Sequence, residues 1–451
     1  MNQHIEQALH NFRERTAHIS RYERYYRGEH NLSFASEKFQ NTFGTLFREF
    51  AMNLCPAVVD AVCDKLTIRG FGVEDRVSSP TGREGSIGAF TDVRATDTVA
   101  EAIWSDNLMQ IRSAEVHREA LKTGEAFVIV WPDADGRPTI YPNRSGSCVA
   151  IYDEENPGKI QWAAKYWQAS DKRIRLNLFY QDRIEKYISK RPSEATLPDA
   201  GDFVAVQGSK FQVQSSKSAG SKSLEHGTLN PEQFAVANPY GIVPVFHFAN
   251  NSDLAAAGRS ELEDAIPIQD GLNKSVLDML VAMEFSSYRQ RWAAGIEIEY
   301  DKDGNAIAPF KAGIDHVWIA ANPSARFGDF GTAELEQFLK VKDSFRVDIA
   351  SVTGTPLHYL LPYANEFPSG EALRKAETRF VAKVRSRQLS YGRVWADAMS
   401  LALKIVGYDE TRFKTTWDDP AAMSEREILE NILLKRQIGL STEEALHEAG
   451  H

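Results

Sequence analysis

The stretch from Val352 to Gly407 constrains this chain more than any other. A loop punctuated by Pro356, Pro362 and Pro368 runs into an unbroken helical pattern that Gly407 is placed to stop. Ser369 is a candidate N-cap, and Glu371 sits in the first turn, where the positive end of a helix favours it. With Phe380 as reference, Leu373, Val384, Tyr391, Trp395, Ala398, Ala402 and Ile405 fall in one stripe at helical spacing. Arg374, Lys375, Arg385 and Arg393 fall mostly on the far side. At 1.5 Å per residue such a helix would run on the order of 55 Å. That is long for a compact domain.

Upstream, the pattern changes twice. The first 123 residues alternate helical stretches with turns: residues 3–27, 47–66 with Pro56 marking a start or kink, and 98–123. Between them, IRGFGV reads as a short strand and residues 76–96 as a turn-rich surface excursion. From Gly124 the period becomes that of strands. AFVIVW and TIYP flank PDADGRP, a hairpin with Asp135-Gly136 as its turn. CVAIYD, QWAAKYWQ, RIRLNLFY and RIEKYIS continue the series, and IVPVFHFAN closes it after a Ser/Lys/Gly-rich loop at 207–228. Helical spacing resumes after Gly258, with Pro267 splitting a short turn from a main helix. Strand-like GIEIEYD, AIAPF and HVWIA follow, with turns at DKDGN and NPSARFGD. A helix over 333–352 leads into the opening stretch; a strand, RFKTTW, and two short helices, 424–436 and 441–447, end the chain. The fold class expected is α+β.

The 451 residues hold 43% hydrophobic and 25% charged side chains, with a net charge of −10. That balance is ordinary for a globular protein and argues against tight nucleic-acid binding over the whole surface. It is compatible with a channel that DNA passes without sticking. Cys55, Cys63 and Cys148 form no CxxC pair and are expected as reduced, buried thiols. The N-terminal residues show no signal-peptide pattern, and no run of about 18 apolar residues predicts a membrane span.

Motifs that carry chemistry fail on inspection. DKDGN and DADGR begin like calcium loops, but position 12 is Ala312 in one and Arg144 in the other, where a bidentate Glu is needed. Both read better as hairpin turns. GREGSIG lacks the Lys-Ser/Thr pair of a phosphate loop, and there is no HExxH, zinc-spaced Cys/His cluster or GxSxG. The expectation is no enzyme, no cofactor and no metal. Two features stay open. The basic face of the long helix suits a solvated surface, an acidic neighbouring subunit or a nucleic-acid backbone. The loop PLHYLLPYANEFPS is unusually apolar for a solvent loop, so it packs on its own chain or on a neighbour.

Several stretches, in order and spacing, resemble a known family: RYERYYRGEH, NLCPAVVDAVCDKLTIRGF, EALKTGEAFVIVW, NPYGIVPVFHFAN, GRSELEDAIPIQDGLNKSVLDMLVAMEFSSYRQRW and SVTGTPLHYLLPYANEFPSGEALRKAE. The resemblance is to portal proteins of tailed double-stranded DNA bacteriophages, of the long-tailed (siphovirus) type. It implies a portal-type fold: a wing over 1–258, stem helices at 259–289 and 333–353, and a small β-rich clip at 290–332. A tunnel loop would span 354–368, the long helix and a returning wing strand 369–419, and a helical crown 420–451. It also implies a homo-oligomeric ring, typically of twelve subunits, at one capsid vertex of a virion assembled in the host bacterial cytoplasm. Double-stranded DNA would pass through it for packaging and ejection. Its partners would be the terminase packaging motor, a head–tail adaptor, the major capsid protein and a scaffold, with no membrane. On this reading Pro356, His358, Tyr359, Tyr363 and Asn365 are channel candidates, and Asp301, Lys302, Asp303 and Asn305 are contacts for the motor or adaptor. The alternatives are another head–tail connector or structural virion protein, or a nucleic-acid-processing enzyme.

Overall fold

The computed structural model describes residues 3–30, 51–73, 88–193, 196–206, 235–252, 257–287, 291–296, 300–303, 322–329, 335–361, 370–408, 413–421 and 425–437. In chain order the elements are α1 (Gln3–Tyr26), α2 (Cys55–Cys63), β1 (Ile68–Val73), α3 (Gly88–Asp106) and α4 (Met109–Thr123). Strands β2 (Glu125–Pro132), β3 (Pro138–Arg144), β4 (Cys148–Tyr152), β5 (Ile160–Gln168), β6 (Ile174–Phe179) and β7 (Arg183–Ser189) follow. After them come β8 (Phe203–Ala205), β9 (Ala235–Ala237), β10 (Val245–Ala249), α5 (Ala265–Ser287), β11 (Arg291–Ala294) and β12 (Arg326–Asp329). The remainder is α6 (Leu335–Thr353), α7 (Leu357–Leu360), α8 (Gly370–Val406), β13 (Phe413–Trp417) and α9 (Glu425–Gln437). Long helices alternate with short antiparallel sheets, an α+β architecture.

Two compact units share the chain. One holds residues 1–30, 53–269 and 348–451; the other holds 31–52 and 270–347.

In the first unit, β10, β2 and β3 form one antiparallel sheet, and β4 to β8 follow one another in a second, with β9 also on β7. The hairpin turn between β2 and β3 is closed by Asp133, whose carboxylate accepts from the backbone N–H of Asp135 and Arg137 at 2.9 and 2.8 Å. Gly136 supplies the positive φ such a turn requires. β1 pairs with β13 across nearly 350 positions of sequence, so the tail closes on the head of this unit. Three cores result. Ile5, Leu9 and Phe12 of α1 pack with Trp162, Leu176 and Leu178 of the larger sheet. Phe127, Phe179, Ile184 and Val245 lie between the two sheets. The largest core surrounds α8, where Phe380, Val384, Tyr391, Trp395, Ala398 and Ala402 are buried along the expected stripe. Leu373 and Ile405 at its ends are only half-buried. Cys55, Cys63 and Cys148 are buried and are not joined in disulfides.

Three readings of the sequence need correction. Residues 98–123 are not one helix: α3 starts back at Gly88, inside the stretch read as a surface excursion, and stops at Asp106. The break has a cause. The Asn107 amide donates to the carbonyls of Ile103 and Pro138, and its oxygen accepts from Ile140 N–H at 2.8 Å, so the chain turns there to meet β3. Leu108 takes up the turn in the left-handed region. The second helix is α2 alone, begun by Pro56 in its first turn; residues 51–54 are not helical, and 47–50 lie outside the described residues. In the second unit, part of the expected turn NPSARFGD is strand β12, which pairs with β11. The expected strands AIAPF and HVWIA and the helix 441–447 lie outside the described residues.

Candidate functional site

The last turns of α6, the segment after it and the first half of α8 form one packed arrangement within the first unit. Gly354 (φ +66°) turns the chain out of α6, and Pro356, buried, starts the single turn α7. The Thr353 hydroxyl donates to the Ile349 carbonyl at 2.7 Å and meets the Thr355 hydroxyl at 2.9 Å, which stiffens the exit. From α7, His358 Nε2 lies 3.0 Å from Glu377 Oε1, and the Tyr359 hydroxyl donates to the same oxygen at 3.4 Å. The Tyr359 ring meets Phe380 edge-on, 5.9 Å between centroids. Two of the expected channel residues are thus pinned on α8, and their apolar neighbour Leu360 is buried. Tyr363 and Asn365 lie outside the described residues, as does the candidate cap Ser369.

Beneath this segment lies a buried ionic network that the motif reading missed. Glu261 is 8% exposed. One of its oxygens accepts from Lys383 Nζ at 2.6 Å, and the other from Arg387 at 2.9 Å and from the Asn250 amide at 3.1 Å. Lys383 Nζ also donates to the Thr353 carbonyl at 2.7 Å. The Tyr391 hydroxyl donates to Asn250 Oδ1 at 3.1 Å, extending the network to the core face of α8. Burial alone would raise the Glu261 carboxyl, but Lys383 and Arg387 outweigh it and hold it below its ordinary range. The backbone makes room for this. Gly124 and Gly258 approach so closely that a Cβ on Gly258 would stand 1.9 Å from the Gly124 carbonyl oxygen. That approach lets Glu261 N–H reach the Leu121 carbonyl and Asn250 N–H reach that of Gly124.

The signal was present in the sequence. Arg387 is seven residues from Phe380 and four from Tyr391, on the apolar stripe itself, and Lys383 lies at its edge. A cation on a buried face demands a carboxylate; only the tertiary fold says that Glu261 supplies it.

The four basic residues expected on the far face are exposed there. Lys375 pairs with Glu371 at 3.0 Å, Arg385 with Asp419 at 3.2 Å and Arg393 with Asp397 at 3.3 Å. Arg374 lines a groove on that face. In the second unit Asp301, Lys302 and Asp303 are exposed, and the Asp301 carboxylate accepts from Asp303 N–H at 2.9 Å, a local turn; Asn305 lies outside the described residues. Among the described residues, no three His, Cys, Asp or Glu side chains gather where they could hold a metal ion, and no helix is long and apolar enough to cross a membrane.

Residues 89–450 match the family model described as phage portal protein, SPP1 Gp6-like. The portal protein of Mycobacterium phage L5 is 30% identical over 200 residues, 42% of this chain and 41% of that protein. The portal protein of Mycobacterium phage D29 is 29% identical over 200 residues, with the same shares. The match therefore spans about two fifths of the length of these curated relatives. Among solved structures, a chain from the neck of an empty GTA particle computed with C6 symmetry aligns over 92% of both chains, at a TM-score of 0.46 and 12% identity.

Proposed function

Because the chain belongs to the family of phage portal proteins described as SPP1 Gp6-like, we propose that copies of it form a ring at one capsid vertex. Double-stranded DNA passes through that ring during packaging and ejection. The carrying observation is the family match over 89–450, which takes in both units and the loop–helix arrangement. In this reading residues 1–258 are the wing, with α8 and the strand β13 returning to it. The helices α5 and α6 are the stem, the residues between them are the clip, and α9 belongs to the crown. The role is structural: the chain shapes a passage, and a separate motor hydrolyses nucleotide.

The segment from Pro356 lines the narrow part of the passage. The contacts of His358 and Tyr359 with α8, and the Lys383 link to the end of α6, support this, because a constriction facing a moving polymer must be held from behind. The passage itself must not hold its cargo. Every phosphate neutralised adds affinity and drag, and a chain with net charge −10 keeps that drag low. The exposed turn at Asp301–Asp303 faces the packaging motor and then the head–tail adaptor.

Negative-stain imaging of the purified protein tests the reading. Rings with a central hole, twelve-fold in class averages, are expected. A protein that stays monomeric even when co-expressed with its capsid protein would sink it.

A further inference from the structure

We infer that Lys383 is the positioning residue of the channel segment, and that the buried carboxylate of Glu261 is the fixed post from which it acts. What the positioning serves rests on the passage reading above. The post is held by the backbone around it. The Ser260 hydroxyl donates to the Lys122 carbonyl at 2.6 Å and accepts from Leu262 N–H at 3.0 Å. Glu261 N–H donates to the Leu121 carbonyl at 2.9 Å, and Arg259 N–H to that of Asn250 at 2.7 Å. The Asn250 amide returns a bond to the Arg259 carbonyl at 2.7 Å. Asn250, Ser260 and Leu262 are all buried. None of these bonds needs Lys383 or Arg387.

The two cations differ in what else they hold. Arg387 gives an N–H to Glu261, its buried Nε has no partner, and its side chain bonds to no other described residue. It balances charge. Lys383 bridges Glu261 at 2.6 Å and the Thr353 carbonyl at 2.7 Å. That carbonyl is the last of α6, where a helix leaves its acceptors unpaired, and Gly354 turns the chain away directly after it. The segment that follows does not fix itself. α7 is a single turn of four residues, too short to stand without packing. Leu360 is buried, but apolar contact is non-directional and sets depth, not register. The other polar hold is Glu377, six residues before Lys383 and so about 9 Å along α8, which meets His358 and Tyr359. Glu377 holds side chains; Lys383 holds the backbone at the point where the segment leaves α6. A polymer that drags on the segment pulls on that backbone, so Lys383 passes the load to the fixed post.

Three variants separate positioning from stability. K383M and R387M each take one cation from Glu261, but only K383M takes the donor from Thr353. The amides of Tyr359 and Leu361 donate to the Pro356 and Leu357 carbonyls, so their hydrogen exchange reports on α7. With the Trp395 amide as the reference for global opening, both are expected to exchange at least tenfold faster in K383M and within twofold of wild type in R387M. E261M/K383M/R387M replaces the buried ions by apolar side chains, a change that often keeps or raises stability. Its thermal midpoint is expected above that of K383M, while Tyr359 and Leu361 still exchange fast. Equal exchange in K383M and R387M, or wild-type exchange in the triple variant, overturns the proposal; if a single variant fails to fold, the triple variant decides alone. In particles, the K383M and triple variants are expected to retain packaged DNA less well than R387M. Fast exchange with wild-type DNA retention counts against the passage reading, an outcome separate from failure of the anchor.

Discussion

At the scale of single residues, Lys383 carries two loads at once: the Glu261 carboxylate and the carbonyl that ends α6. Lys383→Met would leave that carboxylate with Arg387 and Asn250 alone, and the helix-end carbonyl without its donor. The expected loss is about 3 kcal/mol in denaturant unfolding. Lys375→Gln removes an exposed pair of the same type and should cost less than about 0.5 kcal/mol. Equal effects would mean that burial is not what gives the Lys383 network its strength. The histidines make a second prediction. His117 and His247 are enclosed, and burial pushes both down to about 3 from an ordinary 6.5. His117 accepts the Trp395 indole N–H at 2.8 Å, and His247 Nδ1 lies 2.8 Å from the Tyr152 hydroxyl. The folded chain therefore refuses protons that the unfolded chain accepts. Stability is complete above pH 6.5 and falls as pH drops toward 3, by up to about 1.4 kcal/mol per unit for each histidine. Denaturation midpoints between pH 7 and 5, above the range of most carboxylates, should fall accordingly; a flat profile there would contradict the buried neutral assignment.

At the scale of elements, the first unit is organised by α8 and by the backbone approaches that let other segments reach it. Trp395 is buried against Trp104 and Phe248, with centroids 5.1 and 4.7 Å away. Trp395→Ala is expected to cost roughly 3–5 kcal/mol, read as a lowered unfolding midpoint. Gly258→Ala tests the other device. A methyl there meets the Gly124 backbone, which has no side chain to swing away. The strand–loop approach that presents Glu261 must open, at a cost of about 2 kcal/mol or more. If G258A unfolds like wild type, the close approach is not needed to seat Glu261. Gly392 plays a related part, since its bare backbone lets the Thr415 hydroxyl of β13 donate to its carbonyl at 2.8 Å.

At the scale of the whole molecule, the prediction concerns the passage. Deleting residues 357–368 removes the His358 and Tyr359 contacts with α8 but leaves the Lys383–Glu261 network in place. Rings are expected still to form, with packaged DNA retained less well in particles carrying the deletion. Normal packaging and retention would remove this segment from the constriction. Charge reversal at Asp301 and Asp303 should weaken binding to the motor or adaptor without changing ring assembly, measured by co-sedimentation. Unchanged binding to both would move that contact elsewhere in the second unit.

The amino-acid order by itself determined the α+β alternation, the hairpin at Asp135-Gly136 and the long helix with its buried stripe. Each rests on periodicity or turn chemistry confined to neighbours in sequence, where the physics is local. It also carried the family resemblance, since ordered stretches persist where no catalytic motif does. It ran α3 and α4 together as one helix because the stop at Asn107 is made by hydrogen bonds to β3, some thirty residues away. It left Arg387 unexplained because a cation on a buried stripe is intelligible only beside its carboxylate, 126 positions earlier. The pairing of β1 with β13, the seat of Glu261 and the Arg385–Asp419 pair on the outer face of α8 were decided by tertiary structure alone. Partners distant in the chain meet there at a few ångströms, and their spacing along the sequence holds no record of it.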